Sequence, residues 1–528
     1  WIVPAKFAHI SAVRSFAEKH AFEFAPDALA RIAELEQLEL QREQKRAINI
    51  EASHAESADL EIPGLGGELR PFQRAGVAYA LNAKRTFIAD EMGLGKTVEA
   101  LATIHAANAY PALVICPASL KLNWKREAQK WLPGKSVIVL NGKSDMDLSK
   151  YNIVVLNYDI LKKWIDPLTA IGFAAIICDE SHYCKNYKAQ RTETVKLLAS
   201  KIPMRLLLTG TPVLNRPQEL LSQLGILNRL DDFGGFWTFA KRYCGAHQAR
   251  FGWDFSGAMH LDELNEKLRA NCFIRRNKLD VLPELPAKTR AIQPITLSNR
   301  AEYTRAEREL ITYLREKAAN DKKFLASIKN LSADEQKARR SERADTAEQK
   351  ASSAEQLVRI EALKQLAARG KLDAAFEWIG SFIESEKLVV FAHHREIVEA
   401  IAEKFQAPAI TGDTSIEDRQ AAIDKFQNDE NCKLIVLNIR AGGVGITLTA
   451  ASNVAFLELD WTPAAHDQAE DRCHRIGQTD AVTAWYLLAE NSIDTEIAAL
   501  LEQKRAVIDA ATDGTATQSE SLFNALLN

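Results

Sequence analysis

Four absences narrow the field before any motif is read. No apolar run reaches about 18 residues, the least that a membrane-spanning helix needs, and no basic-then-apolar leader is present, so neither a membrane span nor a secretory signal is expected. The seven cysteines include no C-x-x-C and no Cys/His pairing at zinc spacing, which argues for reduced, structural thiols and against a structural metal. An excess of positive charge is missing too. With a formal net charge of −3, any nucleic-acid site has to be a local groove rather than a global field. Long low-complexity tails are also lacking. Trp1 in place of Met reads as the start of a fragment with an upstream segment missing.

What is present is a chain of 528 residues, 47% hydrophobic and 26% charged. That is ordinary globular composition and too much chain for one core. It is organised around ADEMGLGKTVEA, Ala89 to Ala100. A short apolar run, Thr86 to Ala89, enters this stretch and an apolar-periodic segment, Val98 to Ala107, leaves it. Strand, glycine-rich turn and helix are what a phosphate-binding loop requires, because backbone N–H groups then converge on an anion at a helix N-terminus. Gly93 and Gly95 shape the turn, Lys96 reaches the β- and γ-phosphates, and the Thr97 hydroxyl holds Mg²⁺. One position departs from G-x-x-x-x-G-K-[ST]: Asp90 stands where the first glycine belongs. Taken alone, the stretch also fits an ordinary strand-to-helix turn.

Further apolar runs follow at Ala112 to Cys116, Ser136 to Leu140, Ile153 to Leu156, Ala174 to Cys178 and Arg205 to Thr209, separated by helical patterns. They predict a parallel sheet covered on both faces, with ligands at the carboxyl ends of its strands. Asp179-Glu180-Ser181-His182 sits at one such end. There Asp179 can hold a Mg²⁺ water shell, and Glu180 can orient and deprotonate an attacking water. An Asp-Glu pair after a strand also fits a helix N-cap. Thr209 and Thr211, after the next strand, can bond to that turn and report nucleotide state. Gln73, upstream in LRPFQR, has the amide that can read adenine.

A second alternating region begins near Lys371, with apolar runs Leu388 to Phe391, Lys433 to Leu437 and Asn453 to Leu457 and helices over Arg395 to Phe405 and Ser415 to Phe426. It has no phosphate loop. It does carry Gln468 to Gln478, in which Arg472 and Arg475, three apart, would share a helix face and offer two guanidiniums to a γ-phosphate. Two surface arginines fit the same spacing. Residues 217–285 read as helical and aromatic, with Arg275, Arg276 and Lys278 near the end. The mixed-charge stretch Asp321 to Lys350 reads as a solvated helical face or insertion.

The ordered set LRPFQR, DEMGLGKT, DESH, LLLTGTP, LVVFAHH, ITGDTSIEDRQAAIDKFQ, RAGGVGITLTAAS and QAEDRCHRIGQ resembles the Swi/Snf-type ATPases of helicase superfamily two, over roughly Leu69 to Ala510. DESHYCKN, GTPVLNRPQEL, RYCGA, GWDFSG and VFAHH are most similar to the annealing-helicase, fork-remodelling branch. The resemblance implies an α/β fold of two RecA-like parallel-sheet lobes with helical insertions and a small N-terminal accessory unit. The expected division is 1–60 accessory unit, 61–295 lobe one, 296–368 helical insertion, 369–490 lobe two and 491–528 C-terminal helical brace and tail. It implies ATP and Mg²⁺, with Gln73 on adenine, Gly93, Gly95, Lys96, Thr97 and Asp179 around phosphates and metal, Glu180 on the water, and Arg472 and Arg475 as arginine fingers. His182, Thr209, Thr211 and Gln468 would couple the parts. Pro117, Ser119 and Leu120 in lobe one, and Thr414, Arg440, Gly442 and Gly443 in lobe two, would track the DNA backbone. Two departures stand out: Ser181 replaces the usual Ala or Gly, and Asn438-Ile439 replaces the usual Ser-Thr, so Ile439 cannot donate to a phosphate. The expected activity is ATP-driven translocation on double-stranded or branched DNA by a monomer, in a bacterial cytoplasm or a nucleus. A strand-separating DNA or RNA helicase and a remodeller recruited by a protein partner are the alternatives.

Overall fold

Strands that are apolar on both faces belong in the middle of a covered sheet. The computed structural model describes residues 10–142, 146–210, 216–249, 252–308, 335–337, 339–341, 357–442 and 445–513. These fall mainly into two units, one carried by 10–91 and 95–281, the other by 282–509.

The first unit holds β1 (Arg85–Ile88), β2 (Ala112–Cys116), β3 (Val137–Val139), β4 (Ile153–Asn157), β5 (Ala175–Asp179) and β6 (Met204–Leu208). A small antiparallel hairpin, β7 (His247–Ala249) and β8 (Gly252–Asp254), and β9 (Phe273–Ile274) follow. The sheet runs β3-β4-β2-β5-β6-β1-β9, all parallel. Every residue of β2, β4, β5 and β6 is buried. Because the register pairs Ile88 and Asp179 with Leu208, the segments after β1, β5 and β6 leave the sheet side by side.

The second unit holds β10 (Lys288–Ile295), β11 (Leu388–Ala392), β12 (Ala409–Ile410), β13 (Leu434–Asn438), β14 (Asn453–Phe456) and β15 (Val482–Ala489), ordered β10-β15-β14-β11-β13-β12 and all parallel. Ile493, Ile497, Ala498 and Leu501 of helix Ile493–Asp513 complete its core. The α/β class with two parallel-sheet lobes is as expected.

Several expected boundaries move. Residues 288–295 pair with β15 in the second sheet, so the second unit starts at Leu282 rather than after 295. Residues 10–60 are not a separate unit. The Asn49 amide donates to Ala270 O (2.9 Å) and Arg269 to Ser53 O (3.3 Å), which fastens helix Pro26–His54 to the first unit. The stretch Ile62 to Gly67 is also tied to this unit: Ile62 and Leu65 pack with Leu69, Val77 and Ala102, and Gly66 N–H bonds to Trp131 O (2.9 Å). The 368/369 boundary falls inside one helix, Leu357–Ile383. Residues 217–285 are helical only in part, being broken by β7, β8 and β9. Most of Asp321 to Lys350 and all of 514–528 lie outside the described residues. All seven cysteines are free and buried. Among the described residues no helix is long and apolar enough to cross a membrane.

His466 is sealed in the second core between Phe456 and Tyr486, with ring centroids 5.0 and 5.7 Å away. Its Nε2 accepts the Asp460 N–H (3.2 Å), so the ring is neutral. Burial, helped by Arg505, depresses its pKa to about 4. A base whose folded pKa lies below its unfolded value of about 6.5 costs stability only on the acid side. The stability should be full above pH 6.5 and fall toward pH 4, by about 3 kcal/mol from this group. Thermal melts between pH 4 and 7 should show that limb, and His466→Gln should flatten it.

Candidate active site

The turn after β1 is held from three sides. Gly93 (φ +85°) and Gly95 (φ +90°) take left-handed conformations that only glycine adopts without strain. A Cβ at Gly95 would lie 2.5 Å from the Gln73 amide nitrogen. Gln73 is buried, its Oε1 capping helix Pro71–Ala83 through the Arg70 N–H (3.0 Å). The structure thus places Gln73 against the Gly93–Gly95 turn. The Lys96 ammonium donates to Asp90 O (2.7 Å) and Glu91 O (3.3 Å), and burial lowers its pKa against the pull of Glu180, Asp90 and Asp179. Thr97 follows in the first turn of helix Lys96–Ala106.

Asp90 has a structural reason. It is fully buried, and its carboxylate takes the Arg276 Nε–H (3.0 Å), the Arg276 backbone N–H (3.1 Å) and a close Nη2 contact. Arg276 also reaches Glu99 (2.9 Å) and Phe72 O. Next to it, Arg275 joins the segments after β1 and β6 by donating to Ala89 O (3.0 Å) and Gly210 O (2.9 Å). The sequence marked both arginines only as part of a basic cluster.

After β5 the geometry is strained and charged. Glu180 has φ +49°, unusual for a residue with a Cβ, and such outliers gather at functional sites. Asp179 is fixed by Trp124 Nε1–H on Oδ2 (2.7 Å), Glu180 N–H on Oδ1 (3.0 Å) and the Tyr158 hydroxyl on its carbonyl (2.8 Å). Its carboxyl is pushed up to about 7, first by burial and then by the Glu180 charge, while Trp124 and Lys96 pull it down. His182 Nδ1 lies 3.3 Å from Glu180 Oε2 and 3.5 Å from Thr209 Oγ1, so the segments after β5 and β6 touch through this ring. Ser181 donates to buried Gln223 (2.7 Å), which gives the hydroxyl a packing role. Thr211 lies outside the described residues.

Pro117, Ser119 and Leu120 form the turn after β2. Leu120 N–H closes it on Pro117 O (2.9 Å), Leu120 is buried, and Ser119 is exposed. Within the second unit, Thr414 Oγ1 accepts the Thr411 N–H (2.9 Å). Asn438 caps the turn at Ile439–Gly442 by accepting from Arg440 N–H (3.0 Å) and Ala441 N–H (3.2 Å). Ile439 is buried in the core. Arg440 is exposed and bonds Asp460 through Nε (3.1 Å). Gly442 backs onto the Leu437 side chain, 2.6 Å from where a Cβ would sit. Gly443 lies outside the described residues.

Arg472 and Arg475 do not lie on a helix. Helix Pro463–Glu470 ends before them; nearby, Lys288 pairs with Glu470 and Asp471 (both 3.0 Å), and His474 Nε2–H donates to Pro286 O (2.8 Å). The two guanidiniums still come together, Arg472 Nη1 on Ile446 O (3.5 Å) and Arg475 Nη1 on Ile446 O (3.4 Å) and Thr447 Oγ1 (2.9 Å). Gln468, buried, offers its backbone carbonyl to Arg472 Nε–H (3.0 Å).

The family model for the SNF2-related domain matches residues 72–356. The chain belongs to the SNF2-related family. The helicase conserved C-terminal domain matches residues 370–477. The SNF2-related and helicase C-terminal pair is the make-up of ATP-dependent, helicase-like enzymes. Over 475 residues the chain is 35% identical to the SWI/SNF-related matrix-associated actin-dependent regulator of chromatin subfamily A-like protein 1 of Xenopus tropicalis, covering 87% of this chain and 46% of that protein. It is 34% identical, over 85% of this chain and 41% of the relative, to the human DNA annealing helicase and endonuclease ZRANB3. The chain therefore spans under half the length of these SNF2-related relatives. Among solved structures, the Sulfolobus solfataricus SWI2/SNF2 ATPase core in complex with dsDNA matches at 26% identity and a TM-score of 0.40, covering 88% of this chain and 98% of that one.

Proposed function

We propose that this chain is a DNA-stimulated ATPase that translocates on double-stranded or branched DNA. The observation that carries it is the gathering of Lys96, Asp179 and Glu180 at one carboxyl edge of the first sheet, in a chain of the SNF2-related family.

Lys96 binds the β- and γ-phosphates, and Gln73 reads the adenine amide edge from beside the phosphate turn. Thr97 and Asp179 are the donors for Mg²⁺, whose bound charge would neutralise developing phosphate charge. They suit that ion: the Asp179 carboxyl is held high by burial and a like charge, a state that a divalent cation relieves. Glu180 orients and deprotonates the water. His182, Thr209, Thr211 and Gln468 relay nucleotide state. Arg472 and Arg475 supply charge to the γ-phosphate once DNA favours closure, a population shift driven by DNA contacts. Pro117, Ser119, Leu120, Thr414, Arg440, Gly442 and Gly443 border phosphates rather than bases, so binding is sequence-independent and salt-sensitive. The working unit is a monomer, open to recruitment by a protein partner.

Steady-state ATP hydrolysis without nucleic acid, then with single-stranded, duplex and forked DNA and duplex RNA, tests this. Strong stimulation by duplex or forked DNA, lost on raising salt, is expected. Equal rates with and without DNA would sink it, and stimulation by RNA alone would replace the substrate.

A further inference from the structure

A patch of aromatic rings on the first unit is not used by the proposed site. Trp237 and Trp253 are 49% and 46% exposed, with ring centroids 4.8 Å apart and planes tilted by 56°. One comes from helix Phe236–Tyr243 and the other from strand β8. They stand on partly buried rings. Phe255 lies 6.3 Å from Trp237 and 6.1 Å from Phe236, and both phenylalanines pack on the core. Exposed Tyr187 meets Phe236 edge-on at 6.3 Å. The inner rings pack beneath the patch, and both tryptophans stay about half exposed.

A chain does not place two adjacent tryptophans in water for packing. Charge indicates what covers them. Exposed Lys241 lies one helical turn after Trp237 on the same face. Exposed Lys188 sits over the Tyr187 ring (5.6 Å), and exposed Arg216 acts electrostatically on Asp254, next to Trp253. Aromatic faces interleaved with cations suit bases that stack and phosphates that pair, the pattern of single-strand binding surfaces. A paired base keeps both faces inside its own duplex stack and offers none to these rings.

We propose that Trp237, Trp253 and Tyr187 form a stacking platform for unpaired bases of single-stranded DNA, flanked by Lys188, Arg216 and Lys241 on its phosphates. The platform rests on the preceding proposal only in that DNA is the partner, and it selects branched or tailed DNA over blunt duplex. It also stands close to the chemistry in sequence. Tyr187 follows Glu180 by seven positions, and the intervening Tyr183 ring lies 5.2 Å from the His182 ring.

The test titrates the full chain with oligothymidylate and with an abasic oligonucleotide of equal length, reading tryptophan emission and anisotropy of a labelled strand. Oligothymidylate should quench the emission, and Trp237→Ala with Trp253→Ala should weaken its binding about tenfold or more. The matching double change to Phe should keep most of the affinity, and abasic binding should be equal in all three proteins. In ATPase assays the double Ala protein should lose the advantage of tailed over blunt duplex, with blunt stimulation unchanged. Unquenched wild-type emission at saturation, or equal oligothymidylate affinity in the double Ala protein, would overturn the platform. A wild type that no DNA stimulates would instead overturn the translocase, while the quenching result would still decide the platform.

Discussion

Replacing Glu180 by Gln should lower DNA-stimulated ATP hydrolysis about 10²- to 10⁴-fold, the usual worth of a positioned general base, while nucleotide still binds. The substitution keeps the shape of the side chain. The backbone at φ +49°, with Glu180 O accepting Tyr183 N–H (2.9 Å), does not depend on the carboxylate. What disappears is one negative charge beside Asp179. That charge ranks second after burial in holding the Asp179 carboxyl up. Removing a like charge lets that carboxyl ionise more readily, so the metal donors are not weakened. The expected signature is a collapse of kcat with nucleotide affinity equal to or tighter than wild type. Asp179→Asn should do the opposite and lose Mg²⁺-dependent nucleotide affinity. Rapid-quench turnover paired with equilibrium nucleotide titration separates the two. A Glu180→Gln protein turning over within tenfold of wild type would remove Glu180 from the role of base.

The parts of this site that were legible in the sequence are the local ones. A strand, a glycine turn and a helix are adjacent in the chain, and so are β5 and the acidic pair after it. Short apolar runs located β2, β4, β5, β11 and β13 to within a residue or so because those strands are apolar on both faces. Strand β10, KTRAIQPI, gave no such run. It lies at a sheet edge, where alternating polar residues and Pro294 are tolerated because one side of the strand has no partner to donate to. A boundary read from apolar runs alone therefore falls too late. Arg472 and Arg475 were paired by helical spacing, yet they meet through Ile446, a carbonyl more than 25 residues upstream of either. The Asn438-Ile439 departure became intelligible only once Ile439 was seen inside the core and Asn438 capping the turn. Strand β10 and the two arginines depend on partners distant in sequence, which no local pattern encodes, and the burial of Ile439 depends on the core around it.

Asp90 is the sharpest case, and it carries the second large prediction. Read as a motif, it is a missing glycine. In the fold it is one corner of a buried charge cluster whose cation, Arg276, lies 186 residues away. Arg276 Nη2 contacts Asp90 and Glu99, with side-chain exposures of 3%, 0% and 0%. Gly76 leaves the room: a Cβ there would sit 2.1 Å from Glu99 Oε2 and 2.5 Å from Arg276 Nη2. Arg276→Ala should therefore leave two buried acidic side chains without their cation and destabilise the first unit by about 3–5 kcal/mol. A smaller cost would follow if the cluster were a solvated surface pair, worth only about 0–1 kcal/mol. Burial already holds Glu99 well above the ordinary carboxylate range beside the guanidinium, and removing Arg276 raises it further. An acid whose folded pKa exceeds its unfolded value takes up a proton on folding, so acidification relieves the cost carried by Glu99 and the deficit should not grow as pH falls. Urea denaturation of both proteins at pH 7.5 and pH 5.5 reads this directly. An Arg276→Ala protein as stable as wild type at pH 7.5, or a deficit that grows on acidification, would show that the phosphate turn is held by something other than this cluster.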